Sequence, residues 1–467
     1  MASDPFQALP SAAPDGSVVR LAPGTYRLDG SLQIRGGVEL RGAGAGRTIL
    51  EADPSWRPAL SGSVDDGVDF TKADPSAYLI ELGRDVSVNA GVHDMTLRGP
   101  NLHGAVVGIT SHGFKMTGNE VRDFAWSGVR TFVTNNAEYR DNVFVDAGGV
   151  SPSGVSGGGL HLTYEKGATI ANNRFETTDG RSFFYGVKGR EFRDTRITDN
   201  TILTDFAIEL PFEQDRRVEI ARNHLAGVVS VPRFNGGEEV VEGDGDGFHI
   251  HHNHFTTSYA IEGPRNNLRI DHNLFDLDAG DNGGNLISVF GNEASGTIPG
   301  PLSFTDNLVR NPGLGVFWSD IPHDDIRILR NHVLADETGE GEPGLGLFSF
   351  RVNQGDGDAT DFSTITIADN IVGVLTDDPS DRRDLLRYPA EGINVSNIEL
   401  IGVGDLLAYP NEDTGAPRGP DTPLLFRVGR NGEYLVDGFS ATLVPEPAGA
   451  ALLAGLAPPL TRRRRGR

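Results

Sequence analysis

The chain has no cysteine, which removes a disulfide-stapled fold, a thiolate-ligated metal site and a cysteine nucleophile. Lysine is nearly missing, with four residues against 37 arginines, so helices with Glu/Lys faces are not what this composition describes. No run of 18 apolar residues occurs, and with it goes an ordinary transmembrane helix. Positive charge is the minority sign: 65 Asp and Glu stand against 41 Lys and Arg, a formal net charge of -24. That balance opposes binding to a phosphate backbone and argues against a nucleic-acid partner. What is plentiful is glycine, 61 of 467 residues, beside a 37% hydrophobic share that is enough to build a core. The length allows two or three ordinary domains or one elongated one.

A short phrase repeats along the chain: apolar, two variable residues, Asn, any residue, apolar. Its asparagines are Asn119, Asn142, Asn173, Asn200, Asn223, Asn253, Asn273, Asn307, Asn331 and Asn370, spaced by 23, 31, 27, 23, 30, 20, 34, 24 and 39 residues. A unit slightly above twenty residues, with occasional insertions, accounts for every step. Each unit holds two or three short alternating runs rich in Val, Ile, Phe and Thr, which read as strands and not helices. A unit this small cannot bury its own apolar residues, so successive units must stack. Stacking sets each Asn above the last, where its amide can bond along the stack and satisfy a bend. The expected fold is all-β, a single-stranded parallel β-helix with coils about 4.8 Å apart.

Pro14 to Leu50, with Pro23-Gly24-Thr25-Tyr26 followed by a Gly-rich GAGAG, resembles the opening coils of pectin-lyase-like, right-handed parallel β-helix proteins. The resemblance covers about residues 14–375 and implies the right-handed form. It is poor guidance to chemistry, because that superfamily holds lyases, hydrolases, epimerases and non-enzymes alike. Pro322-His323-Asp324-Asp325 resembles a phrase of alginate epimerases, over too few residues to use. The expected organisation is an extension over 1–13, the β-helix over 14–375, terminal coils and an irregular cap over 376–443, and a tail over 444–467.

The tail joins Val-Pro-Glu-Pro (444–447), an apolar run from Ala448 to Leu460, and Arg462 to Arg465. This order resembles the PEP-CTERM sorting signal of bacteria, which implies an exosortase-type processing partner and a secreted or envelope-associated protein. At thirteen residues with two prolines the apolar run is short for a span of about 20. Met1 to Pro10 has no basic n-region and no apolar core, so an export leader is expected outside this sequence.

Insertions avoid the Asn bend. They fall at Gly148–Gly158, Asn235–Gly247, Asp276–Gly284, Asn292–Gly300, Asp336–Gly344 and Asn353–Asp361, before or after one strand per coil. Loops positioned by a rigid scaffold carry function, and these would wall a groove over that strand. Aligning the flanked strands by small-apolar-X triplets gives an outward floor of Arg130, His161, Lys188, Glu209, Ser230, Glu262, Ser288, Phe317 and Phe348. One end is cationic, the middle acidic and the far end aromatic, an order suited to a polysaccharide.

β-Elimination from a uronate needs a base and groups that neutralise its carboxylate. Lys188 is the candidate base, with His161 and Arg130 beyond it and Glu209 one coil away. Ser230, Ser288, Phe317, Phe348, Arg190 and Tyr185 are the candidate substrate contacts. An inverting hydrolase is the alternative. Glu209 and Glu262 lie two coils apart, about 9.6 Å between strand positions, near the upper end of the separation that leaves room for a water. A non-catalytic matrix or adhesion protein that binds glycans on the same face is the third reading. Stacked histidines at His249, His251, His252 and His254, with Asp271 and His272, read as side-chain packing, and no metal centre is expected there. Calcium is the candidate cofactor, on the acidic Gly-rich insertions 236–247 and 276–284, although neither carries a complete calcium-loop pattern. A monomer is expected.

Overall fold

The structure is a computed structural model. It describes residues 10–58, 75–83, 87–149, 157–178, 185–211, 215–231, 247–257, 259–263, 267–277, 285–289, 301–310, 312, 315–319, 325–335, 348–350, 365–375, 382–388, 393–396, 398–403, 405–410, 426–427, 434–436 and 439–444. The tail from Pro445 to Arg467 lies outside them.

One coil shows how the sequence builds the rest. Lys115–Thr117 contributes to a first sheet, Glu120–Phe124 to a second and Ser127–Asn135 to a third. The same three-part course repeats, and the described strands form sheets of 14, 16 and 15 strands stacked in chain order but for the last pair. All ladders are parallel until the last strands, where Phe426–Arg427 pairs antiparallel with Asp405–Pro410 and Tyr434–Val436 with Phe439–Val444. The chain is a right-handed parallel β-helix: the repeat requires the stacked coils, and the hand is the one implied by the resemblance of the opening coils.

Alternation writes the core as columns. Tyr139, Ile170, Ile197, Ile220, Ile250 and Ile270 stack inward on the first sheet. Val129, Leu160, Val187, Ile208, Val229, Ile261 and Ile287 do so on the third. On the second sheet Phe144 lies flat on Phe175 with centroids 4.7 Å apart and planes 3° from parallel. That distance is the inter-strand spacing, so rings in adjacent coils stack without distortion.

The corner from the first sheet to the second holds the asparagines. Each side-chain amide nitrogen donates to the next asparagine's Oδ1 at 2.9–3.1 Å, nine times from Asn119 to Asn370. The same Oδ1 accepts the preceding asparagine's backbone N–H. A second amide proton goes back to a first-sheet carbonyl one coil earlier, as from Asn223 to Ile197 at 2.9 Å. A buried corner thereby leaves none of these polar groups unsatisfied. The residue before the asparagine turns the chain through a left-handed conformation, and φ is 57° at Asp141, 60° at Asp199, 55° at His252 and 57° at Asp306. Asp and Asn tolerate that region better than most residues, while His and Arg hold it here under the surrounding ladder.

Six insertions leave this corner untouched. Three connect the second sheet to the third, between Val143–Ala147 and Gly158–Lys166, Leu274–Asp276 and Asn285–Val289, and His332–Ala335 and Phe348–Phe350. The other three leave the third sheet for the first. Their interiors lie outside the described residues, but their attachment points border the third sheet on both sides.

Candidate functional site

Register places one outward column on the third sheet. Arg130 pairs with His161, His161 with Lys188, Lys188 with Glu209, Glu209 with Ser230, Ser230 with Glu262, and Glu262 with Ser288. Residues up to 32 positions apart in sequence are direct neighbours. The column is not uniformly open, however.

Arg130 and His161, expected on an open floor, are covered, with 0% and 3% of their surface exposed. The Arg130 guanidinium lies 3.7 Å from the Phe132 ring centroid. Its Nη1 donates to the carbonyls of Thr131 and His161 and to Thr163 Oγ1 at 3.0–3.1 Å. His161 meets the edge of Trp126 at 5.1 Å between centroids, beside an apolar cluster of Ala77, Tyr78, Val107 and Trp126 on this outer face. Burial first, then the charges of Arg130 and Lys188, push the His161 imidazole well below its ordinary value, so it is neutral near pH 7. Both residues are buried supports behind Lys188, out of reach of a bound chain.

At Lys188 the column opens in part, although Ser230 and Ser288, expected as substrate contacts, are covered at 2% and 4% exposed. Lys188 and Glu209 expose 22% and 17% of their side chains and form an ion pair, Nζ to Oε2 3.0 Å. The ammonium also lies 4.4 Å from the Tyr185 ring centroid. Tyr185 in turn meets Phe206, one rung along, at 5.2 Å, which makes an aromatic wall at the leading edge of the strand. Arg190 faces the same side, 14% exposed, with Nε 3.8 Å from Glu191.

Two rungs beyond Glu209, Glu262 is half-buried. Ser230 donates to one of its oxygens, and the Tyr259 hydroxyl donates to the other at 2.7 Å. Burial and the bond to Glu262 hold the Tyr259 hydroxyl far above its ordinary value, so it keeps its proton. Ser288 follows, 4% exposed, its hydroxyl 3.4 Å from the Asn285 carbonyl, while Asn285 Oδ1 has no hydrogen-bond partner among the described residues.

The aromatic platform lies elsewhere than expected. Phe317 pairs with Ile287 and Phe348 with Phe317, so both continue the inward column and are buried at 0% and 1%. The residue over Ser288 is Trp318, half-exposed. The triplet Gly315-Val316-Phe317 is out of phase by one, and a one-residue shift swaps the faces of a strand. Choosing Val316-Phe317-Trp318 finds the platform from sequence. Phe206 was not legible by alternation, because it stands two residues before the inward Ile208 and the register is irregular between the two; it lies beside Tyr185. Tyr259 had no signal, because only the fold turns it toward Glu262.

The histidine cluster sits around the corner from this column. His252 stacks on His272 at 5.1 Å, and His251 pairs in register with Asp271. Asp271 lies 2.9 Å from both His249 Nε2 and His272 Nδ1. Burial raises the Asp271 carboxyl, but those bonds outweigh it and hold it below the usual range. Among the described residues no group of three or more His, Asp or Glu is arranged to hold a metal ion. The acidic insertions proposed for calcium lie outside the described residues except at Gly247, Asp276 and Leu277.

Neither a protein-family model nor a curated protein sequence matches the chain. Similar solved structures include the A-module of a mannuronan C-5 epimerase from Azotobacter vinelandii. It shows 15% identity and a TM-score of 0.43, over 93% of this chain and 92% of that one. The tailspike protein of E. coli bacteriophage HK620, in complex with pentasaccharide, gives 11% identity and 0.44 over 86% and 70%. The catalytic unit of an α-1,3-glucanase from Streptomyces thermodiastaticus gives 14% and 0.39 over 88% and 63%. The likeness is distant.

Proposed function

We propose that the protein binds an acidic polysaccharide along the outer face of the third sheet and cleaves it by β-elimination at a uronate. The observation that carries this reading is the Lys188–Glu209 pair, on the stretch of the column where exposure returns and beside Arg190 and the Tyr185–Phe206 wall. A uronate carboxylate that reaches Lys188 competes with Glu209 for the ammonium. Lys188 and Arg190 then neutralise it and stabilise the charge that develops when the α-proton leaves. An ammonium held by a carboxylate is no base, so the proton goes to Glu209, freed by the exchange. The C–H electrons form the new double bond, the glycosidic C–O bond breaks, and the leaving oxygen takes a proton from water.

Inverting hydrolysis has one observation in its favour, that Glu209 and Glu262 face the same side two rungs apart. Both Glu262 oxygens already accept a hydrogen bond, from Ser230 and Tyr259, which opposes the proton-donor role hydrolysis requires of it. One experiment separates the readings. The protein is incubated with a panel of uronate-containing polymers while ultraviolet absorbance of unsaturated uronates and reducing ends are followed. Absorbance lost in Lys188→Ala and Glu209→Gln supports elimination. New reducing ends without absorbance, lost in Glu262→Gln, overturn it in favour of hydrolysis, and retained binding without either product leaves a glycan-binding protein.

The tail that resembles a PEP-CTERM signal would deliver this activity to the cell envelope. Fractionation of cells that carry the chain with Arg462–Arg465 replaced by Ser tests that step, and unchanged distribution rejects it.

A further inference from the structure

We infer that the column selects a heteropolysaccharide, in which an acidic sugar alternates with neutral ones, and rejects a homopolymer of uronates. The inference rests on the acidic-polysaccharide reading above and adds the spacing of charge along the bound chain.

Its basis is the order of side chains from Lys188 to Trp318. Five rungs separate them, about 24 Å at the inter-strand spacing, a length that holds several sugar residues. Among the described residues of this stretch the cations stand at the Lys188 end, Lys188 paired with Glu209 and Arg190 two residues on, beside Glu191. Beyond it come Ser230, Glu262, Asn285, Ser288 and Trp318. Among the described third-sheet strands 228–230, 261–262, 285–289 and 315–319 there is no basic side chain.

Each of those groups suits a neutral sugar. Glu262 accepts from Ser230 and Tyr259, no cation pairs with it among the described residues, and a carboxylate has lone pairs left for sugar hydroxyls. Among the described residues the buried Oδ1 of Asn285 has no partner, which leaves it an unused acceptor. Trp318 offers an apolar face to the underside of a sugar ring. A second uronate placed over Glu262 would set two like charges together, with no cation between them, which opposes binding and enforces register. A chain with one uronate followed by neutral hexoses meets Lys188 with its charge and Glu262 with its hydroxyls.

The test compares gellan, with one glucuronate per repeat of otherwise neutral sugars, with polygalacturonate and uncharged dextran, by affinity electrophoresis of the full chain. Gellan retention at least tenfold stronger than polygalacturonate is expected. Trp318→Ala should lose most of that difference and Trp318→Phe, which keeps a ring, should restore it. Glu262→Gln should strengthen polygalacturonate binding. Circular dichroism of each variant confirms that the fold persists. Equal binding of gellan and polygalacturonate, or a Trp318→Ala change without effect in a folded protein, overturns this inference and leaves the acidic-polysaccharide reading standing. Binding of dextran with neither acidic polymer overturns both.

Discussion

Lys188 and Glu209 are 21 residues apart in sequence and one rung apart in the structure, with Nζ and Oε2 3.0 Å from each other. Both side chains are under a quarter exposed, so solvent screens the pair less than an ordinary surface bridge. A double-mutant cycle with Lys188→Met and Glu209→Gln, read by urea unfolding, should give a coupling of about 1 kcal/mol. A coupling indistinguishable from zero would mean the pair does not exist in solution.

Asn223 is 2% exposed and sits mid-ladder, bonded to Asn200, Asn253 and the Ile197 carbonyl. Asn223→Ala removes these bonds and strands the Asn200 and Asn253 groups, at a cost of about 2–4 kcal/mol. Asn223→Asp should be worse, because a charge enters a buried column of dipoles. The unfolding midpoints in urea give the order directly, and an Asp variant as stable as wild type would contradict it.

Inside the solenoid Glu165 is fully buried, with Oε1 2.8 Å from Thr131 Oγ1 and 3.5 Å from the Tyr139 hydroxyl. Burial pushes its carboxyl from 4.5 up to about 8, against the pull of those hydroxyls. Between these values the folded protein holds a proton that the unfolded chain has released, so stability falls as pH rises from 4.5 to 8. Glu165→Gln should flatten that slope and stabilise the protein by about 2–4 kcal/mol at alkaline pH. Stability measured at several pH values decides it, and parallel curves would exclude Glu165 as the cause.

On the second sheet His224 stacks on His254 with centroids 5.0 Å apart and planes 10° from parallel. Burial lowers both rings. The His254 charge and Arg174 add to the effect at His224, whereas at His254 Asp276 pulls upward against Arg310. A histidine with a depressed folded value contributes full stability above its unfolded value of about 6.5, and loses it as pH falls through that value. Acid unfolding should therefore begin earlier in wild type than in a His254→Gln variant. Thermal melts between pH 7 and pH 5 would show the two curves diverge, and coincident curves would refute the claim.

Much of this was legible in the residues. Ten asparagines in one phrase predict a ladder, and the ladder is there because identical coils must superpose identical bends. The insertions pointed to the third sheet because a corner in which each asparagine donates three hydrogen bonds, as Asn223 does, admits no extra residue. The floor order from Arg130 to Ser288 came from period-2 alternation alone. Phe317 and Phe348 were placed on the wrong face because apolar neighbours on both sides leave the phase of a short strand ambiguous.

Sequence by itself therefore determined the coil, its period and the column from Arg130 to Ser288, since these follow from local alternation and from repetition. Only the tertiary structure decided exposure. Arg130 and His161 occupy the same column as Lys188, yet Trp126 and Phe132 close over them while Lys188 and Glu209 stay partly exposed. Which rung is covered depends on side chains brought in from other strands and neighbouring coils, and no pattern along one strand contains that information.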